Sequence, residues 1–255
     1  MSSDAGRRSF LSRFLLGASA AMLAGCDAAS RSSWVPKVLG TGEHANRGAQ
    51  RLITSKTSLA QEFSEADLSP DFRSNGTASP EDDHYQQLAA NNFQDWKLRV
   101  DGLVAAPTEL TLAQLRSMSS RTQITRHDCV EGWSAIGKWK GVPLSQVLAL
   151  ARPTPDARYV VFHCADPMDG EGTRYYESVD LEDAHHPQTI LAYELNGKPL
   201  PVANGAPIRV RIERQLGYKM AKYIMRIELV KSFAAIGGGK GGYWEDQGYE
   251  WYAGI

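Results

Sequence analysis

The sequence predicts an α+β fold with a mixed, mainly antiparallel sheet and short, scattered helices. Segments that alternate apolar and polar residues outnumber helical segments, and Asn196-Gly197 between two of them is a hairpin signal. No GxGxxG motif follows a strand pattern, and Gly237-Gly238-Gly239 has no helix pattern behind it. These observations argue against a doubly wound βαβ fold and against a nucleotide site.

The individual elements follow from the same patterns. Helices are expected at residues 59–63, 111–118 and 143–151, and for one turn after Asp180 or Asp183. The segment rich in glycine and tryptophan that follows Cys129 is predicted to be a loop. Strands are expected at residues 96–101, 122–128, 159–162, 174–179, 190–195, 198–200, 208–212 and 225–229.

Residues 1–25 are predicted to be an export signal that takes no part in the fold. Arg7-Arg8 with the following Ser9-Phe10-Leu11 matches a twin-arginine pattern, and an apolar stretch too short to span a membrane comes next. Leu23-Ala24-Gly25-Cys26 looks like a bacterial lipobox, with a plain amphipathic helix as the alternative. We therefore expect a periplasmic protein, anchored to the inner membrane by lipid on Cys26. Because twin-arginine export carries folded proteins, the signal also predicts a cofactor.

Behind the signal, three further regions are expected. Residues 26–70 are predicted to form a polar tether, and residues 71–235 to form the folded domain. Residues 236–255 form a glycine-rich and aromatic tail, which either packs on the domain or docks a partner; we expect it to pack on the domain.

Composition excludes several classes of protein. With 28 Lys+Arg against 29 Asp+Glu, the chain has no basic excess with which to bind nucleic acid. Its 3 cysteines include no CxxC pair, so neither a disulfide framework nor a zinc ribbon is expected. His185-His186 has no third ligand at usable spacing, and a turn is expected there.

The chemistry centres on Cys129, at the end of the strand predicted over residues 122–128. Arg126 and His127 precede it, and basic neighbours favour a thiolate. A thiolate can be a nucleophile, a metal ligand or a redox sensor. From spacing alone, these roles and a buried structural cysteine all remain open.

The segment around Cys129, His127-Asp128-Cys129-Val130-Glu131-Gly132-Trp133-Ser134, is followed by Trp139-Lys140-Gly141-Val142-Pro143-Leu144. Together they resemble the metal-ligand loop of the molybdopterin-dependent sulfite oxidase superfamily, and most closely its bacterial periplasmic branch that includes methionine-sulfoxide reductases. The resemblance covers roughly residues 70–235 and implies a sulfite-oxidase-type molybdopterin-binding domain. It implies that Cys129 is the only protein ligand of molybdenum, beside the dithiolene of one pterin.

Further matches imply the contacts to the pterin and its phosphate. The resemblance places Asn75 on the pterin, and Cys164 at a position where relatives often have threonine. Asn204-Gly205-Ala206-Pro207-Ile208-Arg209 matches a family segment in which Asn204 and Arg209 would bond the pterin and phosphate. Gly217-Tyr218-Lys219, then Lys222, resembles the loop that binds the phosphate end. An anionic group needs such paired donors when it is buried.

Structural interpretations of the same residues also stand. Arg209, Arg211 and Arg214 could form a solvated strand face, and Trp133 and Trp139 could be core aromatics. Lys219 and Lys222 could be surface lysines, and Asn204-Gly205 an ordinary turn. A disulfide between Cys129 and Cys164 is a further alternative, which the motif disfavours.

The resemblance implies oxygen-atom transfer or a related two-electron reaction on a small molecule or an oxidised side chain. The chain contains no CxxCH heme motif, so electrons are expected to pass to or from a separate membrane cytochrome b or soluble cytochrome c. Val130-Glu131-Gly132-Trp133 stands where sulfite oxidases carry an arginine pair, which disfavours sulfite. The alternatives are a non-catalytic lipoprotein on this fold and a metal-free, cysteine-dependent thiol oxidoreductase.

Overall fold

The computed structural model describes residues 34–53, 55–168 and 172–255. The twin-arginine pattern and Cys26 lie outside these residues, so the export signal and the lipid anchor remain predictions. The chain divides into two compact units, Met1–Ile53 and Thr54–Ile255. Within the described ranges, no helix combines the length and the apolar character needed to cross a membrane.

The described part of the first unit contains helix α1 (Val35–Ile53), which lies within the predicted tether. Pro36 sits in its first turn, where proline is tolerated. Gly40, Gly42 and Gly48 lower its intrinsic helix propensity. These glycines explain why the sequence pattern did not predict the helix.

In the second unit, two sheets carry most of the regular structure. The strands in chain order are β1 (Lys97–Gly102), β2 (Thr108–Thr111), β3 (Arg121–Asp128), β4 (Ser134–Pro143), β5 (Tyr159–Pro167), β6 (Arg174–Asp180), β7 (Ile190–Leu195), β8 (Lys198–Pro199), β9 (Arg209–Arg211) and β10 (Ile224–Val230). One sheet has the order β2-β1-β10-β5-β6; the other has the order β3-β4-β7-β8, with β9 also paired to β7. Of the described pairs, β1 with β10 is parallel and the others are antiparallel.

The helices of this unit are short. They are α2 (Asp83–Ala90), α3 (Leu112–Ser117), α4 (Leu144–Ala151), α5 (Leu181–Ala184) and α6 (Tyr243–Asp246), with 3-10 turns at Glu65–Asp67, Val202–Asn204 and Gly217–Lys219. Thr111 caps α3 in a capping box with Gln114, and the Asp180 carboxylate caps α5. The predicted α+β class, with mainly antiparallel sheets and short helices, is confirmed.

Two local predictions were wrong. The expected loop after Cys129 is largely strand β4, in which Ala135, Gly137 and Trp139 are buried on one face. A side chain at Gly137 would meet the Phe72 ring at 2.9 Å, so the glycine is there for space rather than for a turn. No helix forms at residues 59–63; the segment has no regular secondary structure, and Phe63 N–H donates to Ile124 O at 2.9 Å.

Two hydrophobic clusters fill the second unit. The larger surrounds Trp96, Phe162 and Ile227, and the smaller one contains Phe72, Trp139 and Ile190. The smaller cluster supports the β3–β4 hairpin, because Trp139 of β4 is fully buried in it. It therefore holds the end of β3, where Cys129 follows.

Candidate active site

Cys129 is held by the tight connection between β3 and β4. Its N–H donates to Trp133 O at 2.9 Å, and Gly132 N–H donates to Cys129 O at 3.0 Å. Gly132 has a φ of +84°, a left-handed conformation that glycine adopts without strain. The turn thus fixes Cys129 at the rim of the sheet, half-buried, at the wall of a cavity of about 210 Å³.

The cavity brings together several of the predicted cofactor residues. Asn75, Cys129, Gly217, Tyr218 and Lys222 all line it. Asp166 also lines the cavity, although no sequence motif singles out this residue. The tail, which we call the C-terminal strap (residues 236–255), contributes Trp244 and Tyr249. The expectation that this segment packs on the domain is confirmed.

Burial raises the pKa of the Cys129 thiol above its ordinary value of 9.0, and the charge of Glu131 adds to the rise; backbone N–H groups of Glu131 and Val130 and the charge of Arg209 oppose it. The basic neighbours do not reverse this direction. Arg126 is exposed and paired with Asp128 at 3.0 Å, and burial holds the pKa of His127 well below 6.5. The free thiol is therefore not activated, which argues against the metal-free nucleophile.

His127 is neutral, and its tautomer follows from its partner. The Arg211 Nη1 atom lies 2.9 Å from His127 Nδ1, and a guanidinium can only donate. Nδ1 must therefore accept, which places the proton on Nε2. Nε2 is buried without a partner among the described residues, and a Cβ at Gly217 would lie only 2.5 Å from it.

The arginines of β9 do not form a solvated face, because Arg209 and Arg211 are both 0% exposed. Their guanidinium groups lie 5.2 and 4.5 Å from the centre of the Trp139 ring. Arg211 is paired with Glu213 through Nε–Oε1 at 2.9 Å and Nη2–Oε2 at 2.6 Å. Arg209 donates to Asn204 O and Met220 O, and burial lowers its pKa to about 9.

The two asparagines of the prediction sit on adjacent loops. The Asn204 amide donates to Phe72 O at 3.4 Å, so it ties the segment before Asn75 to the loop before β9. Asn75 Oδ1 is buried without a partner among the described residues. Of the two, Asn75 lines the cavity and Asn204 supports its neighbour.

The two lysines occupy different surroundings. Lys219 does not line the cavity; its buried ammonium pairs with Glu177 and with Glu245, the latter at 2.5 Å. Lys222 does line it, and donates to Asn75 O at 2.6 Å, to Thr77 O and to Ala203 O. Burial and the charge of Arg209 lower the pKa of Lys222 to about 7. Neither residue is a surface lysine.

Cys164 is buried, and its thiol contacts Phe162 O at 4.0 Å rather than the cavity. Both described cysteines are free, so the disulfide alternative is not supported. His186 Nε2 donates to Ser58 O at 3.0 Å, and its Nδ1 accepts from Gln188 N–H at 3.2 Å. No group of three or more His, Cys, Asp and Glu side chains among the described residues could hold a metal ion. The contact of Cys164 with a cofactor stays a prediction.

The surroundings of the cavity fit a polar group with hydrogen-bonding edges. Asn75 Oδ1 and Asp166 Oδ1, both on lining residues, are buried and unpartnered within the described chain, as are Arg209 Nε and His127 Nε2 nearby. Buried polar atoms of this kind are normally bonded, so a set of them around one cavity indicates a missing partner. A thiol, acceptors and donors together are the donor set that a metal dithiolene on a pterin requires.

Comparison with known proteins decides the family. The model of the oxidoreductase molybdopterin binding domain matches residues 85–234. The chain belongs to this family. As a member of the molybdopterin-binding oxidoreductases, it is an enzyme with the fold and cofactor class that the resemblance implied.

Two relatives extend the comparison. The chain is 38% identical over 248 residues to "Putative protein-methionine-sulfoxide reductase subunit YedZ1" of Azospira oryzae, which covers 97% of this chain and 87% of that one. It is 41% identical over 145 residues to "Protein-methionine-sulfoxide reductase catalytic subunit MsrP" of Xanthomonas campestris pv. campestris. That match covers 53% of this molybdopterin-binding oxidoreductase but only 45% of the Xanthomonas protein.

A solved structure, the sulfane dehydrogenase SoxCD of Paracoccus pantotrophus, overlaps with a TM-score of 0.49 and 23% identity. The overlap covers 55% of this chain and 39% of that one.

Proposed function

We propose that the protein is an exported molybdenum-cofactor-dependent reductase that removes the oxygen atom from sulfoxides, with methionine sulfoxide in proteins as its substrate. The observation that carries the proposal is the Cys129 thiol on a cavity with a low charge. The names of both relatives supply the sulfoxide class. The motifs at Asn75, Asn204 and Arg209 support a bound pterin beside that thiol.

The charges at the cavity favour a neutral substrate. Its described lining contains Glu131, Asp166 and Lys222 but no arginine. The Lys222 ammonium is already engaged by three backbone carbonyls. A dianion such as sulfite is recognised best by guanidinium groups, which the described lining lacks. A sulfoxide carries no net charge, and its oxygen needs only a hydrogen-bond donor.

When bound, the cofactor supplies a two-electron change at molybdenum and a place for the transferred oxygen. Cys129 would hold the metal through its thiolate, while Asn75, Gly217 and Tyr218 would enclose the pterin. Arg209 and Asn204 fix the loops on either side, through the bonds of Arg209 to Asn204 O and Met220 O. Lys222 holds the Asn75–Thr77 segment against the cavity.

Reduction of a sulfoxide to a thioether and water consumes two electrons and two protons. Asp166 lines the cavity, and burial raises its pKa to about 6. Its unpartnered Oδ1 can therefore hold a proton near neutral pH. We assign it the role of proton donor on this side of the cavity.

The electrons would come from a separate redox protein. Both relatives are named as subunits, which supports a partner. A membrane cytochrome b or a soluble cytochrome c fits a periplasmic enzyme, and lipid on Cys26 would keep the enzyme near the membrane. Retention of the protein in the inner-membrane fraction, and its release by Cys26→Ala, would test the anchor.

The first prediction tests the site itself by Cys129→Ser. We expect this variant to lose bound molybdenum and to lose reductase activity by more than about 100-fold, since even residues that only support metal ligands give losses of 10- to 100-fold. Metal content is measured by mass spectrometry, pterin by fluorescence after oxidation, and activity by oxidation of a reduced viologen dye with a methionine sulfoxide peptide.

Cys164→Ala is the matched control, because this second described cysteine does not line the cavity. Because its thiol is turned away from the cavity, it should keep molybdenum and activity, and loss of the metal here as well would instead support the predicted contact of Cys164 with the cofactor. If wild-type protein made in a molybdenum-replete host contains metal but reduces no sulfoxide, the substrate is wrong. If it contains neither metal nor pterin, the cofactor-dependent function fails, and activity without metal would favour the thiol oxidoreductase.

A further inference from the structure

The C-terminal strap is anchored to the domain by its charged residues. Glu245 reaches the buried Lys219 ammonium at 2.5 Å. The Asp246 carboxylate accepts from Gly238 N at 2.7 Å, Lys240 N at 3.1 Å and the Tyr176 hydroxyl at 2.5 Å. These bonds fix the short helix α6, from which Trp244 projects.

Aromatic residues of the strap divide into two groups. The Trp251 indole donates to Ser178 Oγ at 2.9 Å, and its ring packs against Tyr159 and Phe233. Trp244 and Tyr249 instead stack on each other, with centroids 5.4 Å apart at 28°, and line the cavity. Neither Trp244 Nε1 nor Tyr249 Oη has a hydrogen-bond partner within the described part of the chain. Trp244 also packs edge-on against Tyr243, and Tyr249 against Tyr218, with centroids 5.2 and 5.3 Å apart. Hydrogen bonding to the domain, which anchors Trp251, does not account for these two rings.

The lining of the cavity contains two chemically different sets of residues. The unpartnered buried polar atoms belong to Asp166 and Asn75. Among the apolar lining residues, Tyr249 is 42% exposed and Val130, next to Cys129, is 45% exposed. Apolar side chains that border a concave site are typical of a ligand-binding surface. The polar set suits the cofactor and, through Asp166, proton transfer, and the aromatic set is left for the substrate.

We infer that the stacked Trp244–Tyr249 pair is the substrate-binding wall, and that it receives the methyl-sulfur end of a methionine sulfoxide side chain. This inference rests on the proposed function. Sulfur groups make favourable contacts with aromatic rings, and the unpaired indole N–H and phenol O–H can donate to the sulfoxide oxygen. The exposed rim formed by Val130 and Tyr249 leaves the rest of a protein substrate outside the cavity.

The test compares Trp244→Leu and Tyr249→Leu with Phe233→Leu in the holoenzyme. Phe233 lies just before the strap, packs on Tyr159 and Trp251, and is not part of the cavity lining. Each wall variant should raise KM for a methionine sulfoxide peptide by about tenfold at most, the limit for a sulfur–aromatic contact, while kcat changes little. Binding of N-acetylmethionine amide, measured by calorimetry, should weaken by a similar factor. Molybdenum content should be unchanged, and Phe233→Leu should match wild type in both measurements.

Three outcomes would overturn the inference. If wild type reduces sulfoxides but the wall variants behave like Phe233→Leu, the wall does not bind substrate, and the proposed function survives. If they lose molybdenum while the KM of the remaining holoenzyme is normal, the rings contact the cofactor instead. If wild type reduces no sulfoxide, the proposed function and this inference fail together.

Should the leucine variants misfold, Trp244→Phe and Tyr249→Phe test the two donors alone, since each keeps a ring but removes one donor. A raised KM would support the hydrogen bonds to the sulfoxide oxygen, and an unchanged KM in both variants would overturn them.

Discussion

Two regions beside the cavity are built on different principles. One, which we call the floor, consists of the buried residues His127, Trp139, Arg209 and Arg211 on β3, β4 and β9. The strap is irregular apart from α6. In the floor, Arg211 and Glu213 are matched one to one. Where the strap attaches, one cation, Lys219, faces two carboxyl groups, Glu177 of β6 and Glu245 of the strap. Their Oε2 atoms lack partners among the described residues.

This difference means that we expect the stability of the floor to depend little on pH and that of the strap to depend on it more. Sheet register and the Arg211–Glu213 ion pair hold the floor in one arrangement. The attachment of the strap has two buried carboxyl groups for one cation, so we expect its stability to depend on pH. The loop Gly217–Lys219 joins the two, because Gly217 packs on His127 of the floor and Lys219 binds Glu245 of the strap.

The largest effect on stability is expected from Arg211→Met. It leaves Glu213 as a buried, unpaired charge, apart from the Gln123 amide at 2.8 Å. It also removes the donor to His127 Nδ1. Breaking a buried ion pair from one side typically costs about 3–5 kcal/mol, and chemical denaturation should show a loss of this size.

The double variant Arg211→Met with Glu213→Leu is the control. It removes both charges, so it should be clearly more stable than Arg211→Met alone. If the double variant is as unstable as the single one, the packing of Arg211 on Trp139, rather than its charge pairing, holds the floor together.

A smaller effect is expected from Gly217→Ala, at the junction of floor and strap. The added methyl group would lie 2.5 Å from His127 Cε1 and Nε2, which cannot move without displacing Arg211. Overpacking of this kind lowers the free energy of unfolding by about 1–3 kcal/mol. Because His127 is on β3 and Cys129 directly follows that strand, we expect molybdenum content to fall as well.

Gly248→Ala on the strap is the comparison. Nothing lies within 4 Å of its Cβ position, but its φ is +106°. It should cost only about 1 kcal/mol, from backbone strain, and leave the metal in place. Equal molybdenum loss in both variants would mean that His127 is not the reason for the glycine at position 217.

Much of the fold could be predicted from local patterns. The hairpin at Asn196-Gly197, the caps at Thr111 and Asp180 and the strand over residues 225–229 are all set by near neighbours in sequence. Strand β4 could not be predicted, because its two glycines read as loop residues. Gly137 and Gly141 are required there by close contacts with Phe72 and Leu191, which are distant in sequence. Helix α2 and strand β2 lack a strong pattern for the same reason: tertiary packing stabilises them.

The candidate site could also be predicted only in part from the sequence. The motifs pointed to Cys129, Asn75, Gly217 and Tyr218, and the structure places all four on one cavity. Lys219 was expected to contact phosphate, but the structure pairs it with Glu177 and Glu245, and Lys222 takes the place on the cavity. The spacing of two nearby lysines in the sequence does not show which of them faces the cavity. Asp166, Trp244 and Tyr249 carry no motif, since only the fold brings them to Cys129.

The smallest effect, and the sharpest test of the contrast between floor and strap, is expected from Glu245→Gln. In the folded protein, burial and the charge of Glu245 raise the pKa of Glu177 above its ordinary 4.5, although Lys219 opposes the rise. A carboxyl group with a raised pKa binds its proton more tightly when folded, so it lends stability below pH 4.5 that is lost as the pH rises towards the folded pKa. Removing the Glu245 charge lets Lys219 pair with Glu177 alone, which lowers the pKa of Glu177.

The loss of stability between pH 5 and pH 7 should therefore be shallower in Glu245→Gln. At pH 7 the free energy of unfolding of the variant should match that of wild type or exceed it by up to about 1 kcal/mol. Denaturation midpoints at the two pH values measure this, with Glu250→Gln as an exposed control on the same strap; Asp166 titrates in this range too, but equally in all three proteins, so its contribution cancels. A variant that is less stable than wild type at pH 7 would show that the Glu245 carboxylate is needed to hold the strap. The Lys219–Glu245 ion pair would then stabilise the strap at neutral pH, contrary to this prediction.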